Sequence, residues 1–515
     1  MNGIVPKLSG LKRCDKLPMH LFAWTAFHPT QKFQDMSGQL PRRSARGFRC
    51  LVVGTGLGWA IAFVPVALWY QLELYGDGAM FSYAVAVQNV WAFHWHNISG
   101  RSSVFLFSLL PAETVVSFTG RPWAGILTYG FLFYIAPMAG LILTWLADRS
   151  RGRILFVYAC GSTALLCPLV FGFPTEMWFA QAAFWPTLAI SHYANRTLAG
   201  AALVFLAELV LAFTHEGALV LLVVIVAMLA TRGLRDQRFM RATTSLILVL
   251  TLAAASRIVF PPDDYYAEVL LRAALHFFDL EIFRVEVVLV LLAALAAFGA
   301  LFAAMKRISL ARAHIYSLGI VLALLSTYWL KFDHSVLASS RYYLRTALVL
   351  LIPVLAAMAT LSAMTEEEIA FQTLVRLRST LLSWREQTAS ALVAAFLVVT
   401  AIHVVETGKF VTAWANYRAA IATLATGNES DPSLGNPRFV SSARASPDLA
   451  PLAWFSTVPY LSLVLTNFSP NRLVIDPAGN YFWLSCTTAT QNKEADRAVP
   501  LEARDLVRIY SCLHR

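Results

Sequence analysis

Apolar runs long enough to cross a bilayer recur along this chain, and short charged segments separate them. A spanning helix needs about 20 mostly apolar residues. Such runs start near Leu51 and return over 122–147, 153–171, 179–193, 198–213, 218–230, 243–260, 287–304, 315–330, 346–361 and 389–405. Lipid supplies no partners for open backbone groups, so segments of this kind fold as helices. The expected fold class is an all-α polytopic membrane bundle of about 11 transmembrane helices. A hydrophobic share of 58%, a charged share of 14% and a mean hydropathy of +0.60 exclude an ordinary soluble protein.

The charge pattern orients the runs. The formal net charge is +11, but the Lys and Arg residues sit in particular loops and not on one soluble face, which argues against nucleic acid as a partner. Residues 1–50 carry Lys7, Lys12, Arg13, Lys16, Lys32, Arg42, Arg43, Arg46 and Arg49 against Asp15 and Asp35 alone among acids. That segment is expected to stay cytoplasmic, and the apolar run after it is longer than a signal peptide's core. DRSRGR at 148–153, RGLRDQRFMR at 232–241, the Lys306, Arg307 and Arg312 group, and the amphipathic stretch 365–387 all fall on inner loops. A transmembrane region over 51–405 is expected, with a first outer loop at 72–121. Residues 406–515 then lie outside as a small extracytoplasmic α/β domain, rich in turn residues. The expected location is a bacterial inner membrane, crossed many times, with the N-terminus cytoplasmic and the C-terminus periplasmic.

The six cysteines have no metal-ligand spacing. Cys486 and Cys512 lie in the outer C-terminal segment, where an oxidising compartment would allow a disulfide; two separate buried thiols are the alternative. No cofactor motif is present, no metal site is assigned, and the sequence leaves a divalent metal open.

Ionisable residues at a membrane face are costly and often functional. The densest group is in the first outer loop, YGDGAMFSYAVAVQNVWAFHWHNISGR at 75–101. Gly76 and Gly78 flank Asp77, so the backbone can turn tightly there. The next residues predict an interfacial helix with Met80, Phe81, Ala84 and Val85 on one face. An acid at its start is held as the anion by the helix dipole. It suits a general base or a simple cap. His94 and His96 share a face only in extended chain, which favours substrate contact or a structural role over metal. Arg101 closes the loop, and Glu176 follows Pro174 in a second outer link. His215 and Glu216 end a run at the same face, without the HExxH spacing of a metalloprotease. Arg341 and Arg345, four residues apart around Tyr342, would share a helix face and could hold a phosphate or snorkel to headgroups. Tyr342 contacts substrate in the first case and anchors at the interface in the second. Glu208, within a run, reads as a helix-packing group.

An acid in the first outer loop, straight after the first span and before an aromatic, alanine-rich helix, resembles the GT-C superfamily of membrane glycosyltransferases. These include the lipid A aminoarabinose transferases, protein mannosyltransferases and oligosaccharyltransferases. The resemblance covers the architecture of most of the chain and implies catalysis at the outer face. It implies a polyprenyl-phosphate-linked sugar donor and Asp77 as the base that deprotonates a lipid, glycan or protein acceptor. Many members carry paired acids where this chain has Asp77-Gly78, so Asp77 alone is carried over. Membrane lipids complete the expected partners. The competing expectations are a polytopic transporter or flippase, with deep ionisable groups and repeated halves, and a noncatalytic polysaccharide-export partner.

Overall fold

The computed structural model describes residues 39–88, 101–166, 176–260, 340–428, 439–454 and 457–475, with a few isolated positions between 271 and 326. The elements in chain order are α1 (Gln39–Trp69), α2 (Asp77–Ala86), α3 (Ser102–Thr119, with a π-turn at Phe105–Leu109), α4 (Pro122–Tyr134) and α5 (Ala136–Ala147). They continue as α6 (Ile154–Leu166), α7 (Met177–Tyr193), α8 (Leu198–Ala212), α9 (Ala218–Ala230), α10 (Gln237–Val259), α11 (Ser340–Ala363) and α12 (Gln372–Thr426). The described part of the C-terminal segment holds β1 (Phe439–Ser441), α13 (Val458–Leu465) and β2 (Leu473–Ile475).

Four described helices are long and apolar enough to cross a membrane, or five if α4 and α5 form one bent span. The chain is therefore a helical membrane protein. Eleven spans are not reached among the described residues: 287–304 and nearly all of 315–330 lie outside them, and α6, α8 and α9 run only 13, 15 and 13 residues. Ser102–Thr119 passes the same test although it falls inside the expected outer loop. The expected single span at 122–147 is broken, with α4 and α5 meeting at 41°. Pro137 near the start of α5 explains the break, since it lacks an N–H and its ring crowds the preceding turn.

Small residues bring the helices together. A Cβ on Gly56 would lie 2.3 Å from the Cys160 carbonyl oxygen on α6, and one on Gly140 would lie 2.2 Å from the Ala182 oxygen on α7. Such close approach is how helices associate without a hydrophobic driving force between them.

The bundle has two chemically distinct ends. At one, Arg49 donates to the Gly152 carbonyl, Arg241 to the Asn195 and Ala194 carbonyls, and Arg232 pairs with Glu368 at 2.9 Å. The described loops among those expected on the inner side thus gather in one place, while Lys306, Arg307 and Arg312 lie outside the described residues. The other end lies about 25 Å away along the 17 residues of α7, and collects the residues expected outside.

α12 runs unbroken for 55 residues, through the amphipathic stretch expected as a loop and past residue 405. Its last turns join α2, the end of α1, α4 and the C-terminal segment in one hydrophobic core. β1 and β2 pair in parallel, Phe439 with Leu473 and Ser441 with Ile475. This core corrects the expectation that α2 lies on the membrane with one apolar face. Gly78, Ala79, Phe81, Ser82, Tyr83, Ala84 and Val85 are all buried, because α13 covers the helix on one side and α4 on another. Tyr83 meets Tyr460 at 5.3 Å and Phe468 at 6.4 Å between ring centroids.

Candidate functional site

Three separated segments close on one another at the site end. The Ser103 N–H donates to the Phe213 carbonyl at 2.9 Å, fixing the start of α3 to the end of α8. Arg101, just before α3, donates through Nη1 to Glu176 Oε1 at 2.8 Å and through Nε to Glu216 Oε2 at 3.2 Å. The side chains of Arg101, Glu176 and Glu216 are 14%, 7% and 13% exposed, so this branched pair is largely removed from solvent. A planar guanidinium is suited to bridging two carboxylates. His215 Nδ1 accepts the Gly217 N–H at 3.0 Å. The same nitrogen stands 3.8 Å from Glu216 Oε2.

Asp77 opens α2 and is half-buried. The residue before it, Gly76, has φ 59 and ψ −131, a conformation that side chains disfavour. The expected tight turn is thus present, and the carboxylate sits in the first turn of a 10-residue helix where the dipole favours the anion. Asp77 and Glu176 lie within electrostatic reach of one buried group, the Tyr129 hydroxyl of α4.

Glu73 reaches the same hydroxyl, and sequence reasoning missed it. It lies in the 3-10 turn Leu72–Leu74 and is fully buried. Its side chain rests on the backbone of α4 at Gly130, where an added Cβ would stand 3.1 Å from Glu73 Cβ and 3.2 Å from Cδ. Burial pushes its carboxyl up to about 8, and a hydrogen bond from its own backbone and the charge of Arg418 on α12 oppose that only in part. Neither carboxyl oxygen has a hydrogen-bond partner beyond its own backbone among the described residues. The available signal is an acid between two leucines, four residues before Asp77, just past the first apolar run.

α12 closes the site from the side. Trp414 Nε1 donates to the Tyr70 and Gln71 carbonyls at 3.1 and 3.3 Å, and the Trp414 ring meets Tyr75 at 5.2 Å. Arg418 donates to the Gln71 side chain and lies 5.9 Å over the Trp414 ring. The turn that carries Glu73 into Asp77 is thereby clamped from outside.

Of the sequence-derived candidates, Arg101, Glu176, His215 and Glu216 are brought together, and Asp77 stands at the same end. Arg341, Tyr342 and Arg345 occupy the first turns of α11, but their side chains lie outside the described residues. α11 runs 24 residues to the basic end, so its start lies about 36 Å from that end. His94, His96, Cys486 and Cys512 lie outside the described residues. Glu208 is fully buried in α8, against Ser245 of α10. Among the described residues no three His, Cys, Asp or Glu side chains are placed to hold a metal ion. No protein-family model matches the chain, and no curated protein matches it.

Proposed function

We propose that the protein is a glycosyltransferase of the GT-C type, moving a hexosyl or pentosyl group from a polyprenyl-phosphate-linked donor to a lipid, glycan or protein acceptor at the outer face of a bacterial inner membrane. The observation that carries this reading is the convergence of acids and a bridging arginine from three separate segments, beside a helix that opens on Asp77. A passive assembly partner has no need to remove such groups from water. A transporter would place its ionisable residues deep between spans, whereas these lie at one end of the helices.

In this reaction Asp77 takes the proton of the acceptor hydroxyl as that oxygen bonds to the anomeric carbon. The bond from the anomeric carbon to the phosphate oxygen breaks, and its electron pair leaves with the polyprenyl phosphate. The configuration inverts. Arg341 and Arg345, at the start of α11, would stabilise the departing phosphate. Arg101 is already engaged by two carboxylates, so its task is to hold Glu176 and Glu216 for contact with sugar hydroxyls.

The test is to reconstitute the purified protein with a panel of polyprenyl-phosphate sugars and to measure release of free polyprenyl phosphate. Release from at least one donor, with transfer to an added acceptor, supports the reading. Release from none, with membrane passage of an intact donor instead, favours the flippase.

A further inference from the structure

The basic end of the bundle holds more guanidinium charge than its acids and carbonyls engage. Arg232 follows α9, Arg238 and Arg241 lie in the first two turns of α10, and Arg196 lies in the link between α7 and α8. The Arg241 Nη atoms donate to the Asn195 and Ala194 carbonyls at 2.6 and 3.3 Å, and Arg232 Nη1 reaches Glu368 at 2.9 Å. The acids there also serve backbone groups. Asp236 accepts the Arg238 N–H at 2.8 Å, Glu368 accepts the Thr365 N–H at 2.9 Å, and Asp148 accepts the Ser150 and Phe156 N–H groups at 2.8 and 3.0 Å. The Nε atoms of Arg232, Arg238 and Arg241, and Nε2 of His192, are buried with no hydrogen-bond partner among the described residues. The Arg232 side chain is 5% exposed, and His192 is 1% exposed. Buried polar groups nearly always find partners, so this cluster of exceptions asks for an explanation.

These groups stand together. Arg232 and Arg238 are electrostatic neighbours of His192, Arg232 and Arg196 are neighbours of Arg238, and Arg196 is a neighbour of Arg241. Like charges gathered in this way repel one another, and at the start of α10 the helix dipole opposes a cation as well. Extension of the side chains into water would relieve both, yet three Nε atoms are withdrawn from it. The cluster nevertheless opens at the surface, since Arg196 is exposed and Arg238 and Arg241 are half-buried. A guest at that level needs no interior cavity. α8 and α10 pack together there. Both present exposed apolar side chains, Leu198, Leu203 and Leu206 on the first and Met240 and Ile247 on the second.

We infer that Arg196, Arg232, Arg238 and Arg241 form a binding site for the phosphate of an anionic phospholipid. The charge selects that guest. A phosphate diester brings the negative charge that Asp236 and Glu368 leave short, with acceptor oxygens that fit the guanidinium fork. An anion is also favoured where the dipole and open N–H groups of α10 begin. Basic pockets between helices at one membrane face take lipid headgroups of this kind. The exposed leucines and isoleucine further along the same two helices choose a lipid over free phosphate, because an acyl chain can lie against them. The site stands at the opposite end of α7 from Glu176, about 25 Å away, so it does not depend on the sugar-transfer reading.

The experiment is native mass spectrometry of the full chain, delipidated in detergent, with phosphatidylglycerol, phosphatidylcholine and inorganic phosphate as probes. Phosphatidylglycerol is expected to bind saturably and about tenfold more tightly than phosphatidylcholine. Phosphate is expected not to displace it. Arg196→Gln with Arg238→Gln is expected to weaken phosphatidylglycerol binding about tenfold. Arg149→Gln with Arg151→Gln removes the same charge from exposed positions of the link between α5 and α6, and is expected to leave binding nearly unchanged. Equal binding of the two lipids by the parent would overturn the site without recourse to any variant. Equal loss in the two double variants would overturn it as well, by making the attraction a property of the whole basic end. Displacement of the lipid by phosphate would make a soluble anion the guest and remove the lipid assignment.

Discussion

Glu73 sets the acid–base behaviour of the site end. Its carboxyl is held at about 8 in the fold against an ordinary 4.5, so between those values the folded protein keeps a proton that the unfolded chain has released. This group's contribution to stability is then full in acid, falls as pH rises toward 8, and stays lost above it. The fall attributable to this group is on the order of a few kcal/mol. Thermal unfolding in detergent should show a melting point that drops between pH 5 and pH 8, and Glu73→Gln should flatten that drop. Arg101 predicts a different loss. Arg101→Ala leaves two largely buried carboxylates without their shared guanidinium, at a cost of about 3 kcal/mol. Adding Glu176→Gln and Glu216→Gln should recover part of the melting temperature. Much of this scale was legible in the sequence. Apolar runs and charge bias together put Arg101, Glu176, His215 and Glu216 on one side, and the structure brings them together. Glu73 and Tyr129 were not legible, because an acid flanked by leucines just past the first apolar run carries no motif and an aromatic residue inside an apolar run reads as core.

At the scale of elements, helix seams depend on glycines that admit backbone against backbone. Gly140→Ala places a methyl 2.2 Å from the Ala182 carbonyl, a backbone atom that cannot swing aside. Overpacking of this kind costs about 1–3 kcal/mol, and α5 must shift from α7. The variant should melt lower than the parent, while Gly58→Ala, which meets nothing within 4 Å, should melt as the parent does. Apolar runs locate α7, α8 and α9 to within two residues; α9 is expected at 218–230 and is found there. They could not show that α12 continues beyond 405, since hydropathy marks where lipid can begin and end, not where the backbone stops hydrogen bonding to itself. Nor could they show that α2 is buried all round, because its cover comes from α13, nearly 400 residues later in the chain.

Over the whole molecule, the two ends of the bundle differ in kind. One gathers arginines around backbone carbonyls and Glu368; the other gathers Asp77, Glu73, Glu176 and Glu216, with Arg101 bridging the last two and Arg418 acting on Glu73. On our reading the first faces the cytoplasm, as the excess of Lys and Arg demands. Cysteines placed singly at exposed Arg151 and at exposed Arg121 should then label from opposite sides of intact cells with an impermeant thiol reagent, the second from outside. Labelling of both from the same side would remove the two-ended topology. The most direct test of the central claim concerns the carboxylate that opens α2. Single-turnover release of polyprenyl phosphate from the preferred donor should be compared for the parent and Asp77→Asn, matched for folding and donor binding. Loss of the general base predicts a rate lower by about 10²–10⁴-fold with donor affinity unchanged. An Asp77→Asn rate equal to the parent's would contradict it.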